Sequence, residues 1–222
     1  MSVAVENFIK AIYKNEVLEH RDTKPGNIAK QLGISNAAAT DMAKKLANKN
    51  LLIYEKYQPL RLTNKGNEMA LNVVRKHRLW EAFLFNTFDM SLHEIHREAE
   101  LLEHGTSDFL ADKLSDYLGN PDFDPHGDPI PSNDGQIASK ENVVPLNNAE
   151  EGLSYHISRL LSEDKEFFEF CEDHGLKISN KLKVTKQLQA TKMTEIEIEN
   201  KSLLLNYDFT NLIYVSRDEK RS

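Results

Sequence analysis

Pro25-Gly26-Asn27-Ile28-Ala29-Lys30-Gln31-Leu32-Gly33-Ile34-Ser35-Asn36-Ala37-Ala38-Ala39-Thr40-Asp41-Met42, running on to Lys49 and then into Leu51–Thr63, decides how this chain folds. Pro25 sits early in a short helix, where its missing N–H costs nothing, and Gly33 sits where that helix must stop. Ser35 is a good N-cap for a second helix through about Lys49, with Ala39, Met42 and Leu46 turned inward. Two helices joined by Gly33-Ile34 form a helix-turn-helix. The β-prone runs Leu51–Tyr57 and Leu60–Thr63 flank Gln58-Pro59 and predict a hairpin directly behind it. Helix-turn-helix followed by hairpin is the winged-helix arrangement.

On the N-terminal side, Val5, Phe8, Ile9 and Ile12 recur at i, i+3, i+4 and i+7 and predict a first helix. On the C-terminal side, Thr63 caps a long helix, and the helical pattern continues to about Leu118. It breaks near Asp89-Met90-Ser91 and Glu103–Ser107. Residues 121–145 hold five of the seven prolines and read as a connector. Beyond it, Lys181–Thr185, Glu195–Glu199, Ser202–Leu205 and Asn211–Val215 alternate as short strands, with Asn200-Lys201 as a turn. The division expected is 1–74 for a winged-helix head, 75–147 for a helical domain with its connector, and 148–222 for a small β-rich domain.

Charge divides along the same lines. Residues 1–80 carry 14 Lys+Arg against 7 Asp+Glu, a balance of +7, and the remaining 14 Lys+Arg and 28 Asp+Glu leave the rest at −14. A basic head on an acidic body fits a polyanion partner, here DNA, although a basic solvated face is the plainer alternative. The single cysteine, Cys171, excludes a disulfide framework and a Cys-type zinc finger. No run reaches the length of a membrane span, and Met1–Glu6 lacks the pattern of a signal peptide, so a cytoplasmic protein is expected.

Four of the eight histidines fall within residues 77–104. His77 and Glu81 are i, i+4. His96, Glu100, Glu103 and His104 are i, i+4, i+7 and i+8 and share one helix face. Two such faces packed together would gather carboxylates that cannot stay ionised without a cation. N/O donors without a thiolate suit Mn²⁺, Fe²⁺, Co²⁺ or Zn²⁺. An exposed acidic face is the competing reading, because Leu92, Ile95, Ala99 and Leu102 offer a different buried stripe. His93 falls off the ligand face and reads as a surface residue.

Leu52–Tyr57 with Leu62–Gly66, Arg75-Lys76-His77-Arg78-Leu79-Trp80-Glu81, His96 through His104, and Pro125-His126-Gly127-Asp128-Pro129-Ile130-Pro131 resemble the metal-dependent repressors of the diphtheria toxin repressor and manganese transport regulator type. The resemblance runs through residues 1 to about 131 in order, and more loosely beyond. It implies a mainly α fold made of a winged helix-turn-helix, a helical metal-binding and dimerisation domain, and an SH3-like (FeoA-like) C-terminal domain. It also implies a non-enzymatic, homodimeric, metal-activated repressor on operator DNA, controlling manganese or iron homeostasis. Matched by motif, His77, Glu81 and His96 form one metal site and Glu100, Glu103 and His104 a second. The family completes the second site from the first helix, where this chain has Asn7, with Lys10 one turn on. Asp164 is the nearest match for a carboxylate reaching back from the C-terminal domain, with Glu163 and Glu166 as register alternatives. Glu100 stands where the iron type has Cys, which favours Mn²⁺, then Fe²⁺, with Zn²⁺ or Co²⁺ as in vitro substitutes. For DNA the implied residues are Ser35, Asn36, Ala37, Ala38, Thr40, Asp41, Lys44 and Lys45 on the recognition helix, and Tyr57 and Arg61 on the wing. The residues also admit two other readings: a winged-helix regulator sensing a small organic ligand, and a di-metal hydrolase for which no nucleophile or base can be named.

Overall fold

The computed structural model describes residues 2–18, 21–140 and 142–217. The head opens with α1 (Val3–Tyr13), continued by a π turn over Lys14–Leu18. It goes on through α2 (Pro25–Gln31), α3 (Asn36–Asn48), and the two-residue strands β1 (Leu52–Ile53) and β2 (Arg61–Leu62). The strands pair antiparallel, Leu52 opposite Leu62, as the wing. The expected α1 stripe is buried, and it packs with Ile28, Ala39, Ala43, Leu46, Leu60 and Val74 into one core. Gly33 takes φ +64 and lets α2 stop abruptly. Ser35 Oγ accepts the Ala38 N–H and starts α3.

One rigid element joins the head to the helical domain. Helix α4 (Asn64–Phe88) has 25 residues, about 37 Å at 1.5 Å per residue. Its first half, through Ala70 and Val74, belongs to the head core. Its second half, through Leu79 and Ala82, packs on α6 (Asp108–Tyr117) at Ala111 and Leu114. Asp89 ends α4 in the left-handed region at φ 52. Helix α5 (Leu92–Leu102) then starts from a capping box between Ser91 and Glu94. Glu103–Gly105 continue α5 as a 3-10 turn. Both alternatives for α5 hold in part: Ile95 and Ala99 are buried, yet Leu102 is exposed and the His/Glu face turns toward α4.

The C-terminal sheet is antiparallel, in the order β3 (Val143–Pro145), β8 (Ile213–Arg217), β4 (Ser154–Leu160), β5 (Lys181–Leu188), β6 (Met193–Ile198), β7 (Lys201–Asn206). Helices α7 (Lys165–Asp173) and α8 (Tyr207–Thr210) complete it. Four of the strands match the expected runs. β3 and β4 do not: the first is only three residues, and the second is irregular between Ile157 and Arg159, which breaks its alternation. The sheet therefore takes in Val143–Pro145, ahead of residue 148. The turn between β6 and β7 lies at Glu199-Asn200, both at positive φ, with Lys201 already in strand. The Pro-rich connector is no free tether. Asp124–Asp128 form a tight turn, and the Leu160 N–H of β4 donates to His126 O at 2.9 Å. Gly127 has φ +86, and a Cβ there would collide with the Ser158 carbonyl. Among the described residues no helix is long and apolar enough to cross a membrane.

Candidate metal centre and nucleic-acid interface

Glu81 is the hub of the centre. It is 2% exposed, on the second half of α4. One carboxylate oxygen is 2.9 Å from His77 Nε2 and 3.0 Å from His96 Nδ1. The other lies 3.7 Å from His126 Nδ1, carried in by the connector turn. Glu81, Asp124 and His126 present ligand atoms within 4.8 Å of one another, and all three residues are buried. His77, His96 and Glu100 do the same next to them. His126 Nε2 is buried with no hydrogen-bond partner.

The electrostatics are those of several ionisable groups crowded into a buried space. Burial opposes ionisation of Glu81, but the His77 and His126 charges outweigh it and hold its carboxyl well below the usual range. Burial, with Asp128 and Glu81 as negative neighbours, pushes Asp124 up to about 7. Burial alone would discharge His126, but Glu81, Asp124 and Asp128 overcome it and raise the imidazole to about 9. These are the shifts expected where acidic groups are packed beyond what the surrounding side chains neutralise.

Glu100, Glu103 and His104 form a further cluster within the same 4.8 Å limit. Helix α1 meets this cluster with Lys10 and Glu6. Lys10 Nζ is 2.6 Å from Glu100 and 2.7 and 2.8 Å from the two oxygens of Glu103. His77 Nδ1 is 2.6 Å from Glu103, which links the two clusters. His104 Nδ1 is 2.6 Å from Glu6, a residue that sequence reasoning does not single out. Asn7 Oδ1 is buried with no hydrogen-bond partner.

Asp164 needs correcting. Its carboxylate accepts the Phe167 N–H at 3.0 Å and caps α7, so it is committed to the helix. Glu163, one residue earlier, faces the centre instead, 3.8 Å from His96 Nε2 and 2.6 Å from Lys14 Nζ. Lys14 holds the Glu163 carboxyl down to about 2. His93 is half-buried rather than a surface residue, with Nδ1 unpartnered. The residues that sequence reasoning missed are Asp124 and His126. They sit in an irregular turn where no periodicity points, and the available signal was the spacing Asp124, His126, Asp128 in a Pro/Gly-rich stretch.

On the face expected to meet DNA, Asn36, Ala37, Ala38, Lys44 and Lys45 are exposed along α3. Ser35 Oγ is engaged as the cap, and the Thr40 hydroxyl donates to Asn36 O at 2.8 Å. Asp41 pairs with Lys45 at 2.8 Å, which answers its unfavourable charge within the helix. On the wing, Arg61 is exposed and Tyr57 is 81% exposed.

Known proteins share this architecture. Residues 1–60 match the model "Iron dependent repressor, N-terminal DNA binding domain", residues 63–132 match "Iron dependent repressor, metal binding and dimerisation domain", and residues 144–217 match the FeoA domain. The iron-dependent repressor IdeR of Mycobacterium tuberculosis is 33% identical over 128 residues, 57% of this chain and 54% of that one. The chain spans between 16% and 94% of the length of the curated relatives it matches first. Among solved structures, the manganese regulator SloR is 30% identical over 98% of this chain and 100% of its own, at a TM-score of 0.80. A manganese-dependent transcriptional repressor in complex with manganese superposes at a TM-score of 0.89, with 28% identity over 96% and 99% of the two chains. With the repressor models adjoining along the head and the helical domain, and the SloR likeness running from end to end, this chain belongs to the family of iron- and manganese-dependent transcriptional repressors of the diphtheria toxin repressor type.

Proposed function

We propose that this chain is a divalent-metal-activated repressor that binds operator DNA as a homodimer in the cytoplasm, with Mn²⁺ the preferred ion and Fe²⁺ next. The observation that carries this reading is the convergence on Glu81 of His77, His96 and His126, with Asp124 alongside, in a buried volume. Nitrogen and carboxylate donors without a thiolate suit these ions, and the unpartnered His126 Nε2 is a donor atom still to be satisfied. His77, Glu81 and His96, with Asp124 and His126, would hold the ion, and Glu163 would reach it from the C-terminal side. A bound cation supplies the positive charge that lets these carboxylates stay together.

The protein's own part is mechanical. Glu81 and His77 ride on α4, which is continuous with the head core, while His126 and Glu163 come from the connector and the β4–α7 loop. Ligation fixes these elements relative to one another. It raises DNA affinity by the amount the metal prefers that arrangement. Lys44, Lys45, Arg61 and the amide of Asn36 suit phosphate and base edges, and Ala37 and Ala38 suit thymine methyls. The exposed apolar side chains Phe85, Phe88, Leu101, Phe109 and Tyr117 suit the contact between two copies.

The test is DNA selected from a random pool in Mn²⁺ and titrated again after chelation. Affinity that falls at least tenfold on chelation and returns with Mn²⁺ supports the proposal. A second reading, a small organic effector, draws on a cleft of about 690 Å³ between α1–α2 and the C-terminal domain, lined by Lys14, Arg21, Lys30, Arg78 and Arg159. Metal-independent DNA binding would favour that one.

A further inference from the structure

The two clusters around His77 differ in one residue that neither helix of the metal domain supplies. Lys10 enters from α1 and is 7% exposed, and Glu103 is 2% exposed. Lys10 Nζ sits within 2.6–2.8 Å of three carboxylate oxygens, one of Glu100 and both of Glu103. His77 Nδ1 takes one of the Glu103 oxygens as well, at 2.6 Å, and Glu6 takes His104 Nδ1 at 2.6 Å. The centre of this cluster is thus filled by an ammonium bonded to the same oxygens a metal would use.

We propose that Lys10 is a resident cation: its ammonium occupies the metal position between Glu100 and Glu103, so the second cluster is closed without metal and each subunit takes one tightly bound ion, at the Glu81–Asp124–His126 cluster. This rests on the metal reading above and goes beyond it by assigning the stoichiometry and the residue that sets it.

Charge decides the matter where Lys10 and Glu103 are buried. Glu100 and Glu103 contribute two negative charges, and Lys10 returns one. Asn7, one turn before Lys10 on the same face of α1, is a neutral amide and adds none. A divalent ion within bonding distance of the same oxygens would meet the ammonium at a few ångströms in a low-dielectric interior, where like charges repel strongly. Moving Lys10 aside would leave a buried ammonium without its partners, the costly way to break a buried pair. The same contacts hold α1, and with it the head, against the α5 end of the metal domain. That part of the docking needs no metal, and only the Glu81 side remains to be switched.

The experiment counts Mn²⁺ ions on the full chain by electron paramagnetic resonance of the free ion, beside thermal melts with and without Mn²⁺. The wild type is expected to bind one tight ion per subunit. Lys10→Gln should add a second, bound about tenfold or more tighter than any second ion of the wild type (~1.4 kcal/mol per tenfold). It should also melt lower without metal and regain the loss as the second ion binds. Lys10→Arg, which keeps the charge, should stay at one ion, and it stands in if Lys10→Gln does not fold. Two tight ions on the wild type, a second ion on Lys10→Arg, or no second ion on folded Lys10→Gln each overturns the inference. No tight ion on any of the three overturns the metal reading itself.

Discussion

The two clusters that share His77 are built from similar side chains and differ in how their negative charge is answered. Around Glu81, the carboxylates are faced by imidazoles and, at Asp124, by the Arg78 guanidinium at 3.6 Å; Asp124 is pushed up to about 7, and His126 Nε2 is left without a partner. Around Glu103, that residue and Glu100 each have a Lys10 contact of 2.8 Å or less, and Glu103 has His77 at 2.6 Å as well. For Glu100, burial disfavours the charge, yet Lys10 outweighs it and the carboxyl stays below its ordinary range. The second cluster holds an ammonium among its carboxylate oxygens, with His104 Nε2 and Asn7 Oδ1 still without a hydrogen-bond partner beside it, and the first holds no ammonium in that position. A donor inventory taken from sequence treats them alike, and the cation that separates them comes from a helix 90 residues away.

The contrast is tested hardest at Glu103. Glu103→Gln removes the main partner of a buried ammonium, so metal-free protein should lose about 3–5 kcal/mol of stability in urea unfolding, while Mn²⁺ affinity at the Glu81 side changes little. A variant that unfolds like the wild type would mean the Lys10 contacts carry no weight. The reverse pattern is expected at Glu81. Glu81→Gln should weaken Mn²⁺ binding about 100-fold, at the upper end of what supporting groups of a metal site cost, with circular dichroism unchanged. Calorimetry showing wild-type affinity would remove Glu81 from the centre. A smaller contrast sits at the C-terminal edge. Glu163→Ala should cost about tenfold in Mn²⁺ affinity, whereas Asp164→Ala should cost about 1 kcal/mol of stability through the lost cap and leave affinity alone. Equal effects on metal would restore Asp164 to the site. The least effect, and a control lying outside both clusters, is Lys44→Ala. It should lower the slope of log affinity against log salt by about 1 and weaken all DNA sequences alike; a loss confined to one sequence would make Lys44 a base reader.

The parts of this molecule legible from sequence are those where one periodicity governs a long stretch. α1, α3 and the break between α4 and α5 emerge from apolar spacing, from the Ser35 cap, and from the interruption of the helical pattern near Asp89-Met90-Ser91. The wing was legible because Pro59 separates two β-prone runs. β4 was not, since the irregularity between Ile157 and Arg159 shifts its side-chain alternation partway along. At the site, His77, Glu81, His96, Glu100, Glu103 and His104 came from helix-face arithmetic together with the family motif. Asp124 and His126 lie in a turn that obeys no period, and their proximity to Glu81 depends on how the connector docks. Glu163 and Asp164 show the limit of one-residue register: adjacent carboxylates, one facing His96 and the other spent on a backbone N–H. Lys10 could be marked as a departure from the family pattern, but its insertion between Glu100 and Glu103 is a tertiary fact.

Gly127 bears on how such chains are recombined. Its backbone lies so close to Ser158 that no side chain fits, and the neighbouring His126 carbonyl is held by Leu160. Connector and sheet are therefore a matched pair of surfaces. Grafting the C-terminal domain of a relative at residue 148 would set a foreign β4 against this chain's turn, and His126 would be presented to Glu81 at an altered height. The transferable module begins upstream, near Pro121. Chimaeras cut there exchange a complete wall of the pocket around Glu81, and chimaeras cut later divide it between two parents.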